Sequence, residues 1–521
     1  MGLTSIKEHP LARPLVKKLW SLRQVRLWRR RERAFLDFLR RWPASEGKVS
    51  AGQEVWVIIQ PWLGTPLPWY LLVLALGLSR RGRKVKVVWD DTALSPDVAL
   101  QRQVQRSIGR IFSGLPASLD AVRLSEIPSW PDEPLSADAY QRLAYLNSIM
   151  RFHGETPSSA RASYVLAAER SFRQTARRLQ TLFQQSRPAY ILEGGGIFST
   201  SGLPVLLARQ MGVRVATIDS GKELLLIATD GIAAWLDDIP RAFQMLPRID
   251  ELDDWIVSQA RAVLDSRMGA ADLALPRRSL NSYQLVPATG QIEPLDILLP
   301  LNQSYDTAAL GRHQVFDSQM QWIMETVGWA LRHTDAGVVI RRHPVEQYKE
   351  LASIDDYEGA LQERFGATPR VRYIAPAQLV NTYDLILQSR VVVPYVSTVG
   401  LEATALGKPV VTEGASYYAK LGFVWSAASR DEYFALLAQA LDGRLVVTEP
   451  QRRDALRCYY LAQLCSFLHT SFTPNPYDFD HWVLSDPEEL ISSREVITIL
   501  TAIDHNIPLS IINHNALKLK R

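Results

Sequence analysis

The sequence predicts an α/β protein with two domains that each contain a parallel β-sheet, preceded by a basic amphipathic helix. Two strand–helix–strand patterns support this fold class, one at residues 55–89 and one at residues 390–412. In each pattern a run of β-branched residues is followed by a helical segment and a second short strand, which is the order that produces parallel sheets. A polar segment at residues 276–290 is typical of a linker between them. We expect two Rossmann-like domains that face each other across a cleft.

Length and composition favour a multidomain cytoplasmic protein. The chain has 521 residues, of which 47% are hydrophobic and 22% charged. Two cysteines, Cys458 and Cys465, are too few for a disulfide framework, and no apolar run is long enough to span a bilayer. The predicted parts are an N-terminal helix at 1–48, a first domain at 49–280, a second domain at 281–450, and a helical tail at 451–521 that crosses back to the first domain.

Positive charge is concentrated at the start of the chain. Residues 1–41 contain twelve Lys and Arg and three acidic residues, a net charge of +9, which leaves −4 for the rest. Residues 14–42 predict one helix, because Trp28, Phe35 and Trp42 recur at helical spacing while arginines fill the other faces. The helix either lies on an anionic membrane surface or packs on the protein through its aromatic residues. Nucleic acid is not an expected partner, because no basic groove with interleaved aromatic residues recurs elsewhere.

The first domain opens with a strand at 55–59, a helix at 69–81 and a strand at 84–89. The loop after the first strand lacks G-x-G-x-x-G, so dinucleotide binding has no support. Residues 92–180 are predicted to be mostly helical, with several breaks.

An acidic residue ends the next predicted strand of this domain. That strand covers residues 189–192, and Glu193 follows it. Three glycines next to Glu193 leave room for an acceptor, meaning a substrate whose hydroxyl group loses its proton in a group transfer. A general base has to reach the acceptor hydroxyl within hydrogen-bond distance, which the glycines permit. Glu193 is therefore the candidate catalytic base, with Asp219 and Glu223 as substitutes at the next strand end. The alternative is a glycine-rich turn with an exposed acid.

In the second domain, the turn after residues 390–396 has features of a phosphate site. Ser397 and Thr398 are candidate N-caps of the helix that follows. Its first-turn N–H groups are expected to be free and to carry a partial positive charge. Gly400 would let a ligand approach the backbone, and Glu402 would accept hydrogen bonds from ribose hydroxyls. The alternative is an ordinary crossover with an N-cap serine.

Basic residues end a neighbouring predicted strand. Arg341, Arg342 and His343 follow the strand at 337–340, so they are expected at the same sheet edge as Ser397. These side chains could neutralise a leaving phosphate without a metal. The alternative is a set of solvated basic residues at a strand end.

A metal site is disfavoured by the sequence. Asp478 and Asp480 form an Asp-x-Asp motif, but the motif lies in an aromatic, proline-flanked tail rather than after a core strand. No other cluster of ligand residues is within motif distance of it. We therefore expect neither a metal nor another cofactor.

Three motifs of the second domain carry a resemblance to a known family. They are L-P-L-N-Q at 299–303 with Asp306 behind it, R-H-P at 342–344, and V-S-T-V-G-L-E-A at 396–403 followed by G-K-P-V at 407–410. In these motifs, residues 295–440 resemble the capsule polysaccharide biosynthesis proteins, GT-B glycosyltransferases that include the Kdo transferases of capsule assembly. That family carries an acidic-acidic-Gly motif in its first domain, where this chain has Leu192 before Glu193 and Gly194.

The resemblance implies a GT-B fold and contacts from His343, Ser397 and Thr398 to the phosphate of a nucleotide-activated sugar. We also assign Asn302 and Gln303 to the nucleotide-sugar site, together with Arg341, Arg342, Gly400 and Glu402.

The leading hypothesis is a metal-independent glycosyltransferase in cell-surface polysaccharide biosynthesis, with a CMP-linked, Kdo-like donor and a glycan or lipid-linked acceptor. It would be cytoplasmic and peripheral on the inner face of the cell membrane. Two alternatives remain open. A sugar-nucleotide epimerase of the same fold would convert a nucleotide sugar with no acceptor present, and a non-catalytic scaffold of a synthesis or export complex would show no turnover.

Overall fold

The computed structural model describes residues 29–42, 53–63, 65–92, 98–220, 224–269, 295–469 and 486–519, which form two compact units. The first unit consists of the described residues of Met1–Tyr140, Arg170–Gly231 and Leu468–Ile507, and the second of those of Gln141–Glu169, Ile232–Phe467 and Pro508–Arg521. Four predicted features lie outside the described residues: residues 14–28 of the N-terminal helix, Glu223, the linker at 276–290 and the motif at 478–480.

The limits of these units differ from those of the predicted domains. The helices Ile239–Met245 and Asp250–Arg267 belong to the second unit, although the sequence analysis assigned them to the first domain. Packing explains the difference, because Arg453 of the helix Glu449–Tyr460 donates hydrogen bonds to Asp253. The tail also divides, since the described residues of 468–507 belong to the first unit and those of 508–521 to the second.

The first unit is built on a seven-stranded sheet in the order β13-β6-β5-β4-β1-β2-β3. Its strands are β1 Val55–Ile59, β2 Val85–Trp89, β3 Leu119–Arg123, β4 Tyr190–Gly194, β5 Arg214–Ser220, β6 Leu224–Ala228 and β13 Phe467–His469. Neighbours among β1 to β5 pair in parallel, and β6 runs antiparallel to β5. The order β3-β2-β1-β4-β5 is that of a Rossmann-like sheet. The predicted parallel α/β organisation is therefore confirmed.

The sequence analysis missed β3. The described residues of 92–180 are mostly helical, as predicted, but Leu119–Arg123 form an edge strand of which only Leu119 is buried. A strand without a buried apolar run leaves no clear pattern in the sequence. The helices Leu67–Arg80, Val98–Gly114, Gly202–Gln210, Pro487–Ser492 and Arg494–His505 belong to this unit, and Ala137–Phe152 and Ser159–Gln185 contribute residues to both units.

The described part of the N-terminal helix packs on the first unit. Residues 29–40 are helical, and Phe35 and Phe38 are fully buried. Phe35 meets Trp69 edge-on, with 5.9 Å between the ring centroids. The buried carboxylate of Glu32 accepts hydrogen bonds from Ser107 and Arg110. For these residues, protein covers the aromatic face, as the packing interpretation expects.

The second unit has the same strand order as the first. Its parallel sheet runs β10-β7-β8-β9, and a parallel bridge between Val392 and Val410 places the pair β11-β12 next to β10. The strands are β7 Ile297–Pro300, β8 Val338–Arg341, β9 Val371–Ile374, β10 Val391–Val392, β11 Val411–Thr412 and β12 Trp425–Ser426. β10 is shorter than the predicted strand at 390–396, because Pro394 has no N–H to continue a ladder.

Helices cover this second sheet and its core. They are Ile239–Met245, Asp250–Arg267, Gln319–His333, Tyr357–Phe365, Thr382–Gln388, Val399–Ala405, Arg430–Leu441, Glu449–Tyr460 and Leu509–Lys518. Trp322 is fully buried in the core and donates its indole N–H to the Tyr433 hydroxyl at 2.9 Å. Among all the described helices, none has the length and apolarity needed to cross a bilayer.

Candidate functional site

Each unit has a switch point, the place where the strand order reverses between its first and fourth strands, and ligands of such sheets bind there at the carboxyl ends of the strands. In the second unit, Asn302 follows β7, His343 follows β8 and Ser397 follows β10. The Oδ1 atom of Asn302 accepts a hydrogen bond from the Val396 N–H at 3.4 Å, which ties the loops after β7 and β10 together. The three predicted motifs therefore meet at one sheet edge.

His343 is held at this edge by the backbone that follows it. Its Nδ1 accepts a hydrogen bond from the Val345 N–H at 3.4 Å, so the neutral ring carries its proton on Nε2. Burial lowers the pKa of His343, although the charges of Asp306 and Glu346 act in the opposite direction. At pH 7 the ring is therefore mainly neutral, with its proton on Nε2.

The two arginines beside His343 have different surroundings. Arg342 donates to Glu346 Oε2 through Nε at 3.0 Å and through a terminal nitrogen at 2.8 Å, so it stabilises its own segment. Arg341 is 4% exposed and donates to carbonyl groups of the segment after β9. Burial lowers the pKa of Arg341 to about 10, and none of the described acidic side chains forms an ion pair with it. Arg341 thus leaves an uncompensated positive charge near His343, whereas Arg342 does not.

At the turn after β10, the backbone N–H groups that are free differ from those that the sequence predicted to be free. The N–H groups of residues 399–402 already donate to Ser397 or Thr398, so the first turn of the helix is satisfied. By contrast, the N–H groups of Ser397 and Thr398 themselves donate to no acceptor within the described part of the chain. The free backbone donors therefore lie just before the helix Val399–Ala405.

Two predicted ligand residues of this turn are used by the fold. A Cβ atom at Gly400 would lie 2.3 Å from the Tyr418 hydroxyl, so the glycine makes room for that ring rather than for a ligand. Glu402 is 4% exposed, and its Oε1 accepts hydrogen bonds from Arg267 at 3.0 Å and from Tyr459 at 3.2 Å. Because this carboxylate already has partners, its contacts do not support binding to a ribose.

Gln303 also contributes to loop structure. Its Nε2 donates to the Leu351 carbonyl at 2.6 Å and to the Tyr305 hydroxyl at 3.2 Å. Of the two amides after β7, Asn302 is the one at the switch point, and it is 9% exposed. Asn302 is therefore the better placed of the two for a ligand.

Sequence reasoning missed a buried imidazolium in the second unit. His313 Nδ1 lies 2.6 Å from Glu413 Oε1, and its Nε2 lies 3.7 Å from Glu155 Oε1. Burial opposes the charged form, but the hydrogen bonds and charges of the two glutamates raise the pKa of His313 to about 9. The ring stacks on Tyr395, two residues before Ser397. No local motif signals this group, because its members are far apart in the sequence.

In the first unit, the switch point lies between β1 and β4 and is acidic. Gln60 follows β1, Asp90 follows β2 and Glu193 lies in β4. The Nε2 of Gln60 donates to Glu193 Oε2 at 3.1 Å. Glu193 is fully buried, and burial raises its pKa well above the usual range, with a further contribution from the charge of Asp90. Burial disfavours the charged carboxylate that a catalytic base needs, so Glu193 does not fit the predicted role.

Asp219 is the more accessible acid of this edge. It lies near the end of β5 and is half-buried. The Gly195 N–H donates to the Ile218 carbonyl at 2.9 Å, which sets the glycine turn beside this strand end. Gly195 and Gly196 have φ values of +80° and +90°, a conformation that favours glycine. These glycines therefore serve the backbone conformation of the turn as well as the predicted space for a substrate.

Other features of the described residues lie apart from these edges. No group of three or more His, Cys, Asp or Glu side chains in the described ranges is arranged to hold a metal ion. A cavity of about 720 Å³ in the second unit is lined by Asp296, Trp329 and Arg390, among others. Asp296 and Arg390 precede β7 and β10, so this cavity lies at the edge opposite His343.

Two α/β units with the Rossmann-like strand order, and with free backbone N–H groups at the switch point of one, are typical of nucleotide-binding proteins. The profile of the family described as "Capsule polysaccharide biosynthesis protein" matches residues 289–439. These residues include Asn302, His343 and Ser397. The resemblance stated from the motifs is therefore confirmed for this part of the chain.

Solved structures with similar folds were found at low identity. KpsC β-Kdo 2,4 transferase of Thermosulfurimonas dismutans is 17% identical, with 52% of this chain and 79% of that chain covered and a TM-score of 0.34. The β-Kdo 2,7 transferase of the same KpsC is 16% identical, with 62% and 89% covered and a TM-score of 0.33. UDP-GlcNAc 2-epimerase of Methanocaldococcus jannaschii, in complex with UDP-GlcNAc and UDP, is 10% identical, with 77% and 97% covered and a TM-score of 0.24. No curated protein matches the chain.

Proposed function

We propose that the chain is a metal-independent GT-B glycosyltransferase that uses a nucleotide-activated sugar in the biosynthesis of a capsular or other cell-surface polysaccharide. The family match over residues 289–439 supports the biological process. The observation that carries the chemistry is the meeting of Asn302, His343 and Ser397 at the switch point of the second unit.

Phosphate binding at this edge follows from the position of the donors. Neighbouring strands are about 4.8 Å apart, so the ends of β8 and β10, which flank β7, are separated by about 10 Å. A single phosphate is narrower than this, but side chains that extend from both strand ends, with hydrogen bonds of about 2.9 Å on each side, cover the remaining distance. The phosphate would accept hydrogen bonds from His343 Nε2–H on one side and from the N–H and hydroxyl groups of Ser397 and Thr398 on the other. The buried charge of Arg341 adds to the positive potential.

Departure of the nucleotide is the step that these groups would assist. As the bond between the anomeric carbon and the phosphate oxygen breaks, negative charge grows on the phosphate. Fixed hydrogen-bond donors and a buried positive charge stabilise this transition state more than they stabilise the bound nucleotide sugar. This difference is the condition for a faster reaction. No described residue has to bind a metal for this step.

For the acceptor we assign the general base to Asp219 rather than to Glu193. Asp219 keeps partial exposure at a strand end, whereas Glu193 is fully buried and favours its neutral form. Glu193 would instead keep the Gln60 amide in place.

The finer assignment follows the family resemblance. The donor would be CMP-linked and Kdo-like, and the acceptor a glycan or a lipid-linked glycan. An enzyme that acts on lipid-linked acceptors would be cytoplasmic and bound at the inner face of the cell membrane, with the basic N-terminal segment at residues 14–42 near the anionic surface.

The test is nucleotide release from CMP-, UDP- and GDP-sugars in EDTA, with and without glycan acceptors, together with analysis of the sugar product. Release that depends on an acceptor, with a new glycosidic bond, is the expected result. Conversion of the nucleotide sugar without an acceptor would identify the epimerase instead. Absence of turnover with every donor and acceptor pair would favour the scaffold and overturn the proposal.

A further inference from the structure

An arginine-lined cavity lies in the first unit between the helix at residues 29–40 and the helix Val98–Gly114. Its volume is about 710 Å³, which is in the range of ligand sites. Its charged lining consists of Arg40, Arg106, Arg110 and Arg123, and its apolar lining of Leu36 and Leu39. No acidic side chain belongs to this lining. The cavity therefore combines a strongly positive wall with an apolar one.

The arginines differ in how far nearby acids compensate their charge. Arg110 pairs with the buried carboxylate of Glu32, and this pair holds the two helices together. Arg40 pairs with Asp37, but both side chains are largely exposed, and such pairs contribute little. Arg123 reaches Glu126 only at 3.9 Å.

Arg106 is exposed and forms no ion pair with a described acidic residue. The wall thus has more positive charge than its neighbours neutralise, and an anionic ligand would compensate it.

Two glycines shape the cavity floor. A Cβ atom at Gly109 would lie 2.9 Å from a terminal nitrogen of Arg123, and one at Gly114 would lie 3.0 Å from a methyl carbon of Leu36. The glycines let the guanidinium and the leucine lie directly across the helix. Five residues of helix separate them by about 7.5 Å, so the charged end and the apolar end of the cavity are distinct. This arrangement fits a ligand with an anionic head and an apolar continuation.

We propose that this cavity binds the phosphate-bearing head group of an anionic lipid at a membrane surface. Guanidinium groups bind phosphate oxygens in pairs of hydrogen bonds, and the leucines would contact the apolar part that follows the head group. The aromatic residues Phe35 and Phe38 are buried in the protein, so they are not available for insertion. The proposal rests on the membrane location given under the proposed function. The cavity, rather than the aromatic face of the helix, is then the part of the protein that contacts the membrane.

The experiment is sedimentation of the full chain with vesicles in the absence of donor and acceptor, so that its outcome is independent of turnover. Vesicles of phosphatidylcholine are compared with vesicles that also contain phosphatidylglycerol, at low and high salt. The test variants are the double substitution Arg40→Gln with Arg106→Gln, and the single substitution Leu36→Gln. The matched control is Arg102→Gln, which removes an exposed charge one turn away on the same helix but outside the cavity lining. Deletion of the whole segment is avoided, since it would remove the buried phenylalanines.

We expect binding to the anionic vesicles only, weakened by salt because the attraction acts within a Debye length. General attraction to such a surface contributes about 1 kcal/mol for each arginine, which corresponds to a loss of about 5-fold in the control and about 30-fold in the double variant. Because Arg40 and Arg106 line the cavity, the double variant should lose more than about 30-fold. Leu36→Gln should weaken binding several-fold at unchanged charge, which general electrostatic attraction would not produce.

Three results would overturn the proposal: equal binding to neutral vesicles, equal losses per charge in the double variant and the control with no effect of Leu36→Gln, or no binding to anionic vesicles by a protein that millimolar glycerol phosphate stabilises against unfolding. The last result would identify a site for a free phosphate compound rather than for a lipid. Thermal unfolding of each variant checks that its fold is intact.

Discussion

The switch points of the two units have the same strand order and opposite chemistry. In the first unit the amide of Gln60 donates to a buried carboxyl, Glu193, whose pKa is raised by burial. In the second unit the amide of Asn302 accepts from the backbone of Val396, and the neighbouring strand ends in a buried arginine, Arg341. A side-chain amide after the first strand thus bridges the reversal in both sheets, while the residues around it are acidic in one and basic in the other.

This difference indicates how one topology supports two roles. Both edges place loop residues where a ligand can bind, but the free energy of binding depends on the side chains present. The second edge has hydrogen-bond donors and a positive charge, which suit a phosphate. The first edge has acids, of which the half-buried Asp219 is the general base in the proposed function.

The largest effect should follow from Asp219→Asn. Loss of a general base lowers kcat by about 10²- to 10⁴-fold, whereas binding of the donor to the other unit should change little. Steady-state kinetics with saturating donor measure this, with Glu193→Gln as the matched acid-to-amide control. If Glu193→Gln abolishes turnover and Asp219→Asn does not, the assignment of the two acids is reversed.

His343→Ala should lower kcat/KM for the donor by about 100-fold, because one donor to the developing charge is lost. His343→Asn should recover part of this loss, since an amide can accept from the Val345 N–H and still donate to phosphate. The control is His333→Ala, at an exposed position. Unchanged kinetics in a folded His343→Ala protein would refute the role, and a protein that fails to fold only in this variant would make His343 a structural residue.

The dependence of stability on pH should differ between the two units, through His313 in the second and Glu193 in the first. The pKa of His313 is raised from 6.5 to about 9 in the folded state. Its stabilisation is therefore complete below pH 6.5 and is lost as the pH rises through 9, with a total of about 3 kcal/mol. Chemical unfolding between pH 6 and 10 should show this loss in the wild type, and His313→Gln should be less stable at pH 6 and show little loss. An identical pH profile in the variant would contradict the ion pairs with Glu413 and Glu155.

The change in stability with pH that involves Glu193 is tested by Glu193→Gln. Because burial raises the pKa of Glu193, the folded protein holds a proton that the unfolded chain releases above about pH 4.5. Folding of the wild type therefore loses stability as the pH rises above this value, and the amide removes the loss. The variant should be more stable than the wild type at pH 8 and nearly equal at pH 4. Lower stability of the variant at pH 8 would show that Glu193 is charged in the folded protein.

Local sequence patterns predicted the helices and strands of this fold more accurately than they predicted which groups each side chain contacts. The strand at 55–59 agrees with the sequence analysis because its run of β-branched residues is a local pattern. The role of Gly400 did not follow, since the ring that fills its space belongs to Tyr418, eighteen positions later. Arg342 and Glu402 look like ligand residues until their partners are known, and burial of Glu193 depends on the whole sheet.

The most direct test of the account is nucleotide binding in EDTA, measured as the shift in unfolding free energy with CMP, UDP and GDP for the wild type, His343→Ala and Asp219→Asn. One nucleotide at a hundred times its dissociation constant should stabilise the wild type and Asp219→Asn by about 2.7 kcal/mol. His343→Ala should show a clearly smaller shift at the same concentration. No stabilisation by any of the three nucleotides, a requirement for Mg²⁺, or an equal shift in His343→Ala would contradict a metal-independent phosphate site at the switch point of the second unit.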